Sequence, residues 1–439
     1  MSTVAFVVAD EGLGGIVPFG QGLARLGVEP VLLTGAAHER QLHTWRQVYS
    51  DVGVLDNPYR PAALVAAARD MAAGRTIAAL FSCYDGLSIP AAVAGAVLGL
   101  PHPALEGLAG SRNKLATRTA TRGRGLPTPR FAPIDSVDAC AGAASTVGFP
   151  AVLKPLNGMA SHLVRRVDSL DQLERAYRYT RDRLQRNFAG NYRDGLSADP
   201  ASLLDPLRTL LLEEELDGEE YSAEVLVRDG HIHRIALFHK FLVREPGYLE
   251  CGFTRPPLTP SHRSERIWRH IEDCIQCLGV ANATAHVEVI DTADGPRLVE
   301  VNAGRAGGQI LALAVRLATG VDLIAEILAL ALGRERPGTL PPEICGRITT
   351  FTIFPPQSGR LDALTGLDEL EALPGVARVV PFAAVGDWLD ADDKEVFAVN
   401  FLVQGGDEPA LRALYAEACR LVRFEMSVAE VAGVGGGIV

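Results

Sequence analysis

The chain has 439 residues, a formal net charge of -11, 48 % hydrophobic and 22 % charged residues. Such a length implies roughly two to four domains rather than one core, and the composition is that of a globular chain. The acidic balance argues against nucleic-acid binding driven by phosphate attraction, while a local basic nucleotide site stays open.

Met1-Ser2-Thr3 runs straight into the strand-like Val4 to Val8, so no signal peptide is expected. No clean apolar run is long enough to span a membrane; the richest, 310–332, carries Arg316, Asp322 and Glu326. Seven cysteines, an odd number, are scattered from Cys83 to Cys419 and are expected as reduced thiols in the cytoplasm. Cys274 and Cys277 form a C-x-x-C. They share a helical apolar stripe with Ile267, Ile271, Ile275 and Leu278, which favours core packing over redox or zinc chemistry.

Residues 1–110 alternate strand and helix patterns, as in a parallel α/β layer. The strands are Val4 to Val8, Val31 to Leu33 and Ile77 to Phe81, with a turn at Gly14-Gly15 leading into a helix that ends near Gly27, and an alanine-rich helix over 61–73. The glycines near Asp10 lack the dinucleotide fingerprint G-x-G-x-x-G, which removes the oxidoreductase reading. Tyr84 and Asp85 follow a strand's C-terminal end, where such sheets bind ligands; Asp85 equally suits the cap of the next helix. Ser111 is the expected N-cap of a helix reaching Arg122.

A strand at 130–132 and a helix over 136–147 precede Ala151-Val152-Leu153-Lys154. A lysine ending an apolar strand is costly unless it meets an anion. The small-residue loop Asn157 to His162, including Ser161, follows; it could cover phosphates with backbone N–H groups, or be a plain hairpin loop. An amphipathic helix at 168–185 leads to a polar, turn-rich stretch at 187–206. Then Leu210 to Leu212 form a strand, and six acids fall within Glu213-Glu214-Glu215-Leu216-Asp217-Gly218-Glu219-Glu220. Such runs are usually solvated, but this one lies between two strands. His239 and Lys240, near the end of the 232–242 strand, are expected as a surface pair. An extended segment at 248–253, a proline-marked loop and a helix over 264–278 come next.

Residues 286–309 read as two strands joined by Asp294-Gly295. Glu300 and Asn302 share one face at i and i+2, and Glu288 can join them from the paired strand. Two carboxylates and a carboxamide suit Mg²⁺ held against phosphates; taken alone the stretch fits a solvated hairpin better, and the upstream features reverse that balance. Arg305 and the surrounding glycines add a cation and allow close backbone approach. Helices at 310–319 and 323–332, a linker at 337–342 and a small α+β segment at 345–430 complete the chain. In that segment strands are expected at 347–354, 376–381 and 396–403 and helices at 367–372 and 409–422, before a glycine tail at 435–437.

The order of these features resembles the ATP-grasp superfamily over residues 1–335. Ser111-Arg112-Asn113-Lys114 resembles the family's helix-opening phosphate lysine, Val152-Leu153-Lys154-Pro155 its strand lysine, and Leu212 to Glu220 its nucleotide hinge. Glu300-Val301-Asn302 with Glu288 resembles its metal set. The 345–430 segment is similar to the C-terminal domain of carboxylate–amine ligases, of the L-amino acid ligase type, that make dipeptides or peptide antibiotics. The implied fold class is α/β and α+β multidomain: a Rossmann-like pre-ATP-grasp domain at 1–110, an ATP-grasp domain at 111–335 with a lid near 130–212, and the small C-terminal domain.

The resemblance implies ATP and Mg²⁺ (or Mn²⁺) as cofactors, and an amide bond formed through an acyl phosphate with release of ADP and phosphate. Lys114, Lys154 and Ser161 would meet phosphates. Glu213 and the backbone of Glu215 and Leu216 would meet adenine, and Glu220 the ribose. Glu288, Glu300 and Asn302 would bind metal, Arg305 would stabilise the acyl phosphate, and Tyr84, Glu250 and Gly307 would line the substrate pocket. The partners would be a small carboxylate and an amine, with a homodimer as a family-level expectation. Ala160 and Leu163 stand where glycines are common in relatives, Arg305 lies one residue beyond the commonest spacing, and Phe253 replaces a histidine common in dipeptide-forming relatives. The alternatives are an ATP-grasp carboxylase acting on bicarbonate, a purine-pathway-type ligase, and an ATP-binding protein without chemistry.

Overall fold

Alternating apolar residues build the first layer. In β1 (Thr3–Val8), Val4, Phe6 and Val8 face one core while Ala5 and Val7 face another. A strand apolar on both sides is the signature of a sheet covered on both faces. β2 (Glu29–Gly35), β3 (Asp51–Leu55) and β4 (Thr76–Phe81) join it in the all-parallel order β3-β2-β1-β4. α1 (Ile16–Arg25) covers one face; α2 (Pro61–Ala72) and α3 (Ser88–Val97) cover the other. This computed structural model describes residues 3–9, 16–35, 45–158, 161–187, 205–244, 249–258, 261–305, 308–391 and 395–427. The Gly14-Gly15 turn, most of the 187–206 stretch, Ala160, Tyr248, Gly307 and the glycine tail lie outside them.

Two short helices follow, α4 (Leu105–Arg112) and α5 (Lys114–Gly123). The break between them corrects the expected cap. Ser111 lies inside α4, and its hydroxyl donates to the Leu108 carbonyl; Asn113 caps α5, accepting from the backbone N–H groups of Leu115 and Ala116. Asn is as good a cap as Ser, so composition alone could not choose between them.

The next unit is an antiparallel sheet ordered β5-β8-β6-β7, from β5 (Phe131–Ile134), β6 (Ala151–Pro155), β7 (Arg165–Val167) and β8 (Leu210–Glu214). α6 (Cys140–Val147) and α7 (Leu170–Asn187) close its core. Ser161 and Leu163 adopt positive φ, 50° and 57°, and Leu163 is one of the two positions where relatives commonly carry glycine. Leu163 offsets that strain by burying its side chain in this core.

The largest sheet has eight strands. Its first five, in spatial order, are β13 (Gly295–Ala303), β12 (Ala283–Thr292), β9 (Gly218–Arg228), β10 (His231–Arg244) and β11 (Leu249–Arg255). α8 (Ser261–Cys277) packs on one face, and α9 (Gln309–Thr319) with α10 (Leu323–Ala331) on the other. The C-terminal segment is no separate appendage. Its β14 (Ile348–Ile353) pairs with β11, and β18 (Val399–Gln404) and β16 (Val376–Pro381) extend the same sheet. Its remaining strands, β15 (Gly359–Thr365), β17 (Trp388–Leu389) and β19 (Arg423–Ser427), form a small sheet, with α11 (Leu367–Glu371) and α12 (Glu408–Leu421) beside them. Cys274 is buried on the α8 stripe, and all seven cysteines are free thiols.

His270 lies on the same stripe, 3.7 Å from the Cys274 thiol through Nε2. Burial, with a smaller push from Arg297, lowers its pKa to about 4. The unfolded chain takes up that proton below about pH 6.5, and the folded chain only near 4. The neutral ring therefore contributes stability that is present above pH 6.5 and is lost as pH falls toward 4. In thermal melts His270→Gln should lose less stability than the parent between pH 6.5 and 4; parallel curves would refute this assignment.

Candidate active site

One cavity of about 260 Å³ lies where the lid, the eight-stranded sheet and α5 meet. Its walls carry Lys114, Lys154, Ser161 and Glu213 to Leu216 together with Glu220, Glu250, Glu288, Glu300 and Arg305. Residues nearly two hundred positions apart in sequence meet here. The reason is topological: β8 leads directly into β9, so the acidic run crosses from the lid sheet to the large sheet, beside β12.

The run is solvated only at Asp217 to Glu219, and its other acids are buried or half-buried. Glu214 pairs with Arg130 at 2.7 Å, Glu215 with Arg166 at 2.9 Å, and Glu219 with Arg263 at 2.7 Å. Glu213, expected at the adenine edge, is buried, with its carboxylate against Arg118 at 2.5 Å and against Lys154. Burial alone would raise the Glu213 pKa, but Arg118 and Lys154 outweigh it and hold the carboxyl below its usual range. Arg118 is itself fully buried and donates to the Val299 carbonyl at 2.7 Å. It went unnoticed in the sequence although it lies four residues after Lys114, on the same helix face.

The register of β12 and β13 sets Glu288 directly opposite Glu300 and His286 opposite Asn302. Lys114 bridges Glu300 at 2.6 Å and the Gly158 carbonyl of the lid at 2.8 Å. Asn302 Nδ2 donates to Glu300 at 2.6 Å, which leaves its carbonyl oxygen as the harder donor. The donor chemistry of Glu288, Glu300 and Asn302 fits a Mg²⁺ ion. Another carboxylate triplet, Glu220, Glu250 and Glu288, brings oxygens within 4.8 Å of one another. Its centre is taken by the Lys240 ammonium, 2.8 Å from Glu220, 3.1 Å from Glu288 and in contact with Glu250. An ammonium there does the work a metal would otherwise do.

Lys240 therefore contradicts the expected surface pair: its side chain is fully buried. His239 is buried too, stacked on Tyr221 with ring centroids 4.9 Å apart. Burial disfavours the Lys240 cation, yet Glu220, Glu250 and Glu288 raise its pKa well above the usual value. The argument that singled out Lys154 on an apolar strand applies equally to Lys240. His286 bonds Glu224 at 2.7 Å and approaches Glu288 at 3.3 Å. Burial opposes its charge, but Glu224 and then Glu288 lift its pKa to about 9. Burial raises the Glu250 carboxyl to about 7, with Lys240 opposing and Glu288 and Glu220 reinforcing the rise.

Asp85 caps no helix. It is buried, and its carboxylate holds Arg305, tying the N-terminal layer to the end of β13. Tyr84 packs on the core of the parallel layer and is not part of the cavity wall. The C-terminal segment contributes Thr350, Thr352, Phe382, Glu395, Phe397 and Asn400, none of which carries a sequence signal.

Residues 147–312 match the ATP-grasp domain family, and residues 351–427 match the L-amino acid ligase C-terminal domain 2 family. A Sinorhizobium fredii protein, y4rH, is 28 % identical over 298 residues, 66 % of this chain and 57 % of its own length. The L-arginine-specific L-amino acid ligase of Bacillus subtilis is 22 % identical over 301 residues, 68 % of each chain. The L-amino acid ligase structure from Bacillus licheniformis superposes with a TM-score of 0.80 at 20 % identity, covering 97 % of this chain and 99 % of that one. The chain carries an ATP-grasp domain over residues 147–312 and, over its length, the fold of that ligase structure. Its C-terminal segment is of the L-amino acid ligase type over residues 351–427. The match spans little more than half the length of y4rH.

Lys240→Met would leave three buried carboxylates without their shared cation. Breaking a buried ion pair in this way costs about 3–5 kcal/mol. Chemical denaturation at neutral pH should show that loss, partly recovered at lower pH as the carboxylates take up protons. A loss below about 1 kcal/mol would mean that the ammonium is not what holds the cluster.

Proposed function

We propose that this protein is an ATP-dependent carboxylate–amine ligase that activates a carboxylate as its acyl phosphate and joins it to an amine. One observation carries the proposal: Lys114, Lys154, Glu288 and Glu300 line the same cavity as Glu215 and Leu216 of the hinge, and Asn302 is hydrogen-bonded to Glu300 beside it. In that reading the backbone of Glu215 and Leu216 meets the base, and Glu220 the ribose. Lys114 and Lys154 hold phosphates as point charges, with Ser161 beside them. Glu213 does not read adenine; with Arg118 it orients the Lys154 ammonium. Glu288, Glu300 and Asn302 would hold Mg²⁺, which would neutralise phosphate charge.

The substrate carboxylate oxygen attacks the γ-phosphorus, and the bond to ADP breaks. The amine nitrogen then attacks the acyl carbon, phosphate leaves and the amine gives up its proton. Arg305, aimed by Asp85, stabilises the negative charge on the acyl phosphate. No side-chain nucleophile takes part, so catalysis rests on positioning and electrostatics. Glu250 lies where an amine's positive charge is favoured and where a bicarbonate anion is repelled, which favours the ligase over the carboxylase. Amino-acid-like substrates follow from the same chemistry and from the names of the relatives.

The test is release of ADP and phosphate with Mg²⁺ and ATP across pairwise mixtures of amino acids and small amines. Turnover should require a specific pair, disappear on chelation of the metal, and fall about 100-fold or more in Glu300→Ala. AMP and pyrophosphate as products would refute the mechanism.

A further inference from the structure

Beyond the phosphate end, the cavity runs to a wall made by the C-terminal segment. Glu395, 5 % exposed, accepts a hydrogen bond from the Glu250 backbone N–H at 2.8 Å. Among the described residues Glu395 makes no ion pair. Asn400, 2 % exposed, donates through Nδ2 to Thr352 Oγ1 at 2.9 Å, and its Oδ1 is buried without a partner. Both side chains line the cavity, as do Glu250, Phe253, Phe382 and Phe397.

The charge balance at this wall is open. One ammonium, Lys240, already serves three carboxylates, and Glu395 adds a fourth. A buried carboxylate lacking a cation is costly, and so is a buried amide oxygen lacking a donor. Burial and the nearby Glu250 carboxylate push the Glu395 pKa well above its ordinary value. Glu250, Glu395 and Asn400 line the one cavity, and a donor that is both positive and small is the chemistry that complements them. The three phenylalanine rings beside them offer an apolar surface and a cation-tolerant face; the Phe253 ring already lies 5.5 Å from the Lys240 nitrogen.

We propose that Glu395 and Asn400, with Glu250, form the recognition site for a cationic nitrogen of the amino substrate, whose apolar part packs on Phe253, Phe382 and Phe397. This rests on the ligase reading for its place in the reaction and deepens it. The C-terminal segment becomes the part of the chain that selects the amine, and the cation is either the α-ammonium group or a basic side chain.

Calorimetric titration of the full-length protein, loaded with MgADP, tests this by binding alone. The probes are L-phenylalanine, L-arginine and N-acetyl-L-phenylalanine, which has no cation. Glu395→Gln should weaken binding of a cationic probe about 10- to 100-fold, as expected for a lost hydrogen bond to a charged group. Glu395→Asp should restore part of the loss, and N-acetyl-L-phenylalanine should be indifferent to both substitutions. Equal loss for the two amino acids assigns the α-ammonium; loss confined to L-arginine assigns the side chain. Unchanged affinity for both, equal loss for the acetylated probe, or a parent protein that binds neither amino acid overturns the proposal. Melting temperature and MgADP affinity report the fold, and Asn400→Leu carries the same test if Glu395→Gln does not fold. Because the readout is binding, a failed ADP-release assay refutes the ligase reading and leaves the outcome of this titration standing.

Discussion

The Lys240 ammonium, buried among Glu220, Glu250 and Glu288, joins β9, β10, β11 and β12 at one point of the eight-stranded sheet. Without it, three carboxylates would face one another inside the protein, and burial would drive them to neutrality. With it, Glu288 is held well below the usual carboxylate range despite its burial, with His286 adding to the effect. An ionised carboxylate is what a metal site requires. The remainder of the cavity depends on this arrangement, because Glu288 faces Glu300 across the strand pair and Glu250 backs onto Glu395.

Further charge contacts bind the surrounding units to that centre. Arg118, Glu213 and Lys154 link α5 to both central strands of the lid sheet. Lys114 links α5 to β13 and to the lid loop at Gly158. Asp85 and Arg305 link the parallel layer to the end of β13. Each link uses a group that the proposed chemistry also needs. Phosphates would compete with Glu213 and Glu300 for the lysines, and a metal would compete with Lys114 for Glu300. The balance between lid, sheet and N-terminal layer is thereby coupled to ligand charge, in a site buried enough that such pairs are weakly screened by salt.

Much of this was legible because strand chemistry is local. A lysine ending an apolar strand, two acids and an amide on a tight hairpin, and an acidic run between two strands each announce themselves within about ten residues. Lys240 offered the same signal as Lys154 and was misread, because His-Lys beside a strand end is common on surfaces. Asp85 stayed open between a ligand position and a helix cap because its partner, Arg305, lies 220 positions away. Strands β7 and β17, of three and two residues, are too short for an alternation that stands out from turns. The C-terminal segment looked self-contained because its own strands alternate normally, and nothing in that pattern reveals that β14 pairs with β11.

The sequence by itself determined which residues carry the carboxylate, amide and ammonium groups suited to a metal or to phosphate, and the order in which they occur along the chain. Spacing at i and i+2, apolar alternation and turn residues depend only on neighbours a few positions away. The tertiary structure alone decided which charges meet: Lys240 with three carboxylates, Glu213 with two cations, Glu395 with Glu250. Those partners come from different strands and different units. Their pairing is imposed by strand order and by the cost of leaving any one of them buried alone, neither of which can be computed from local spacing.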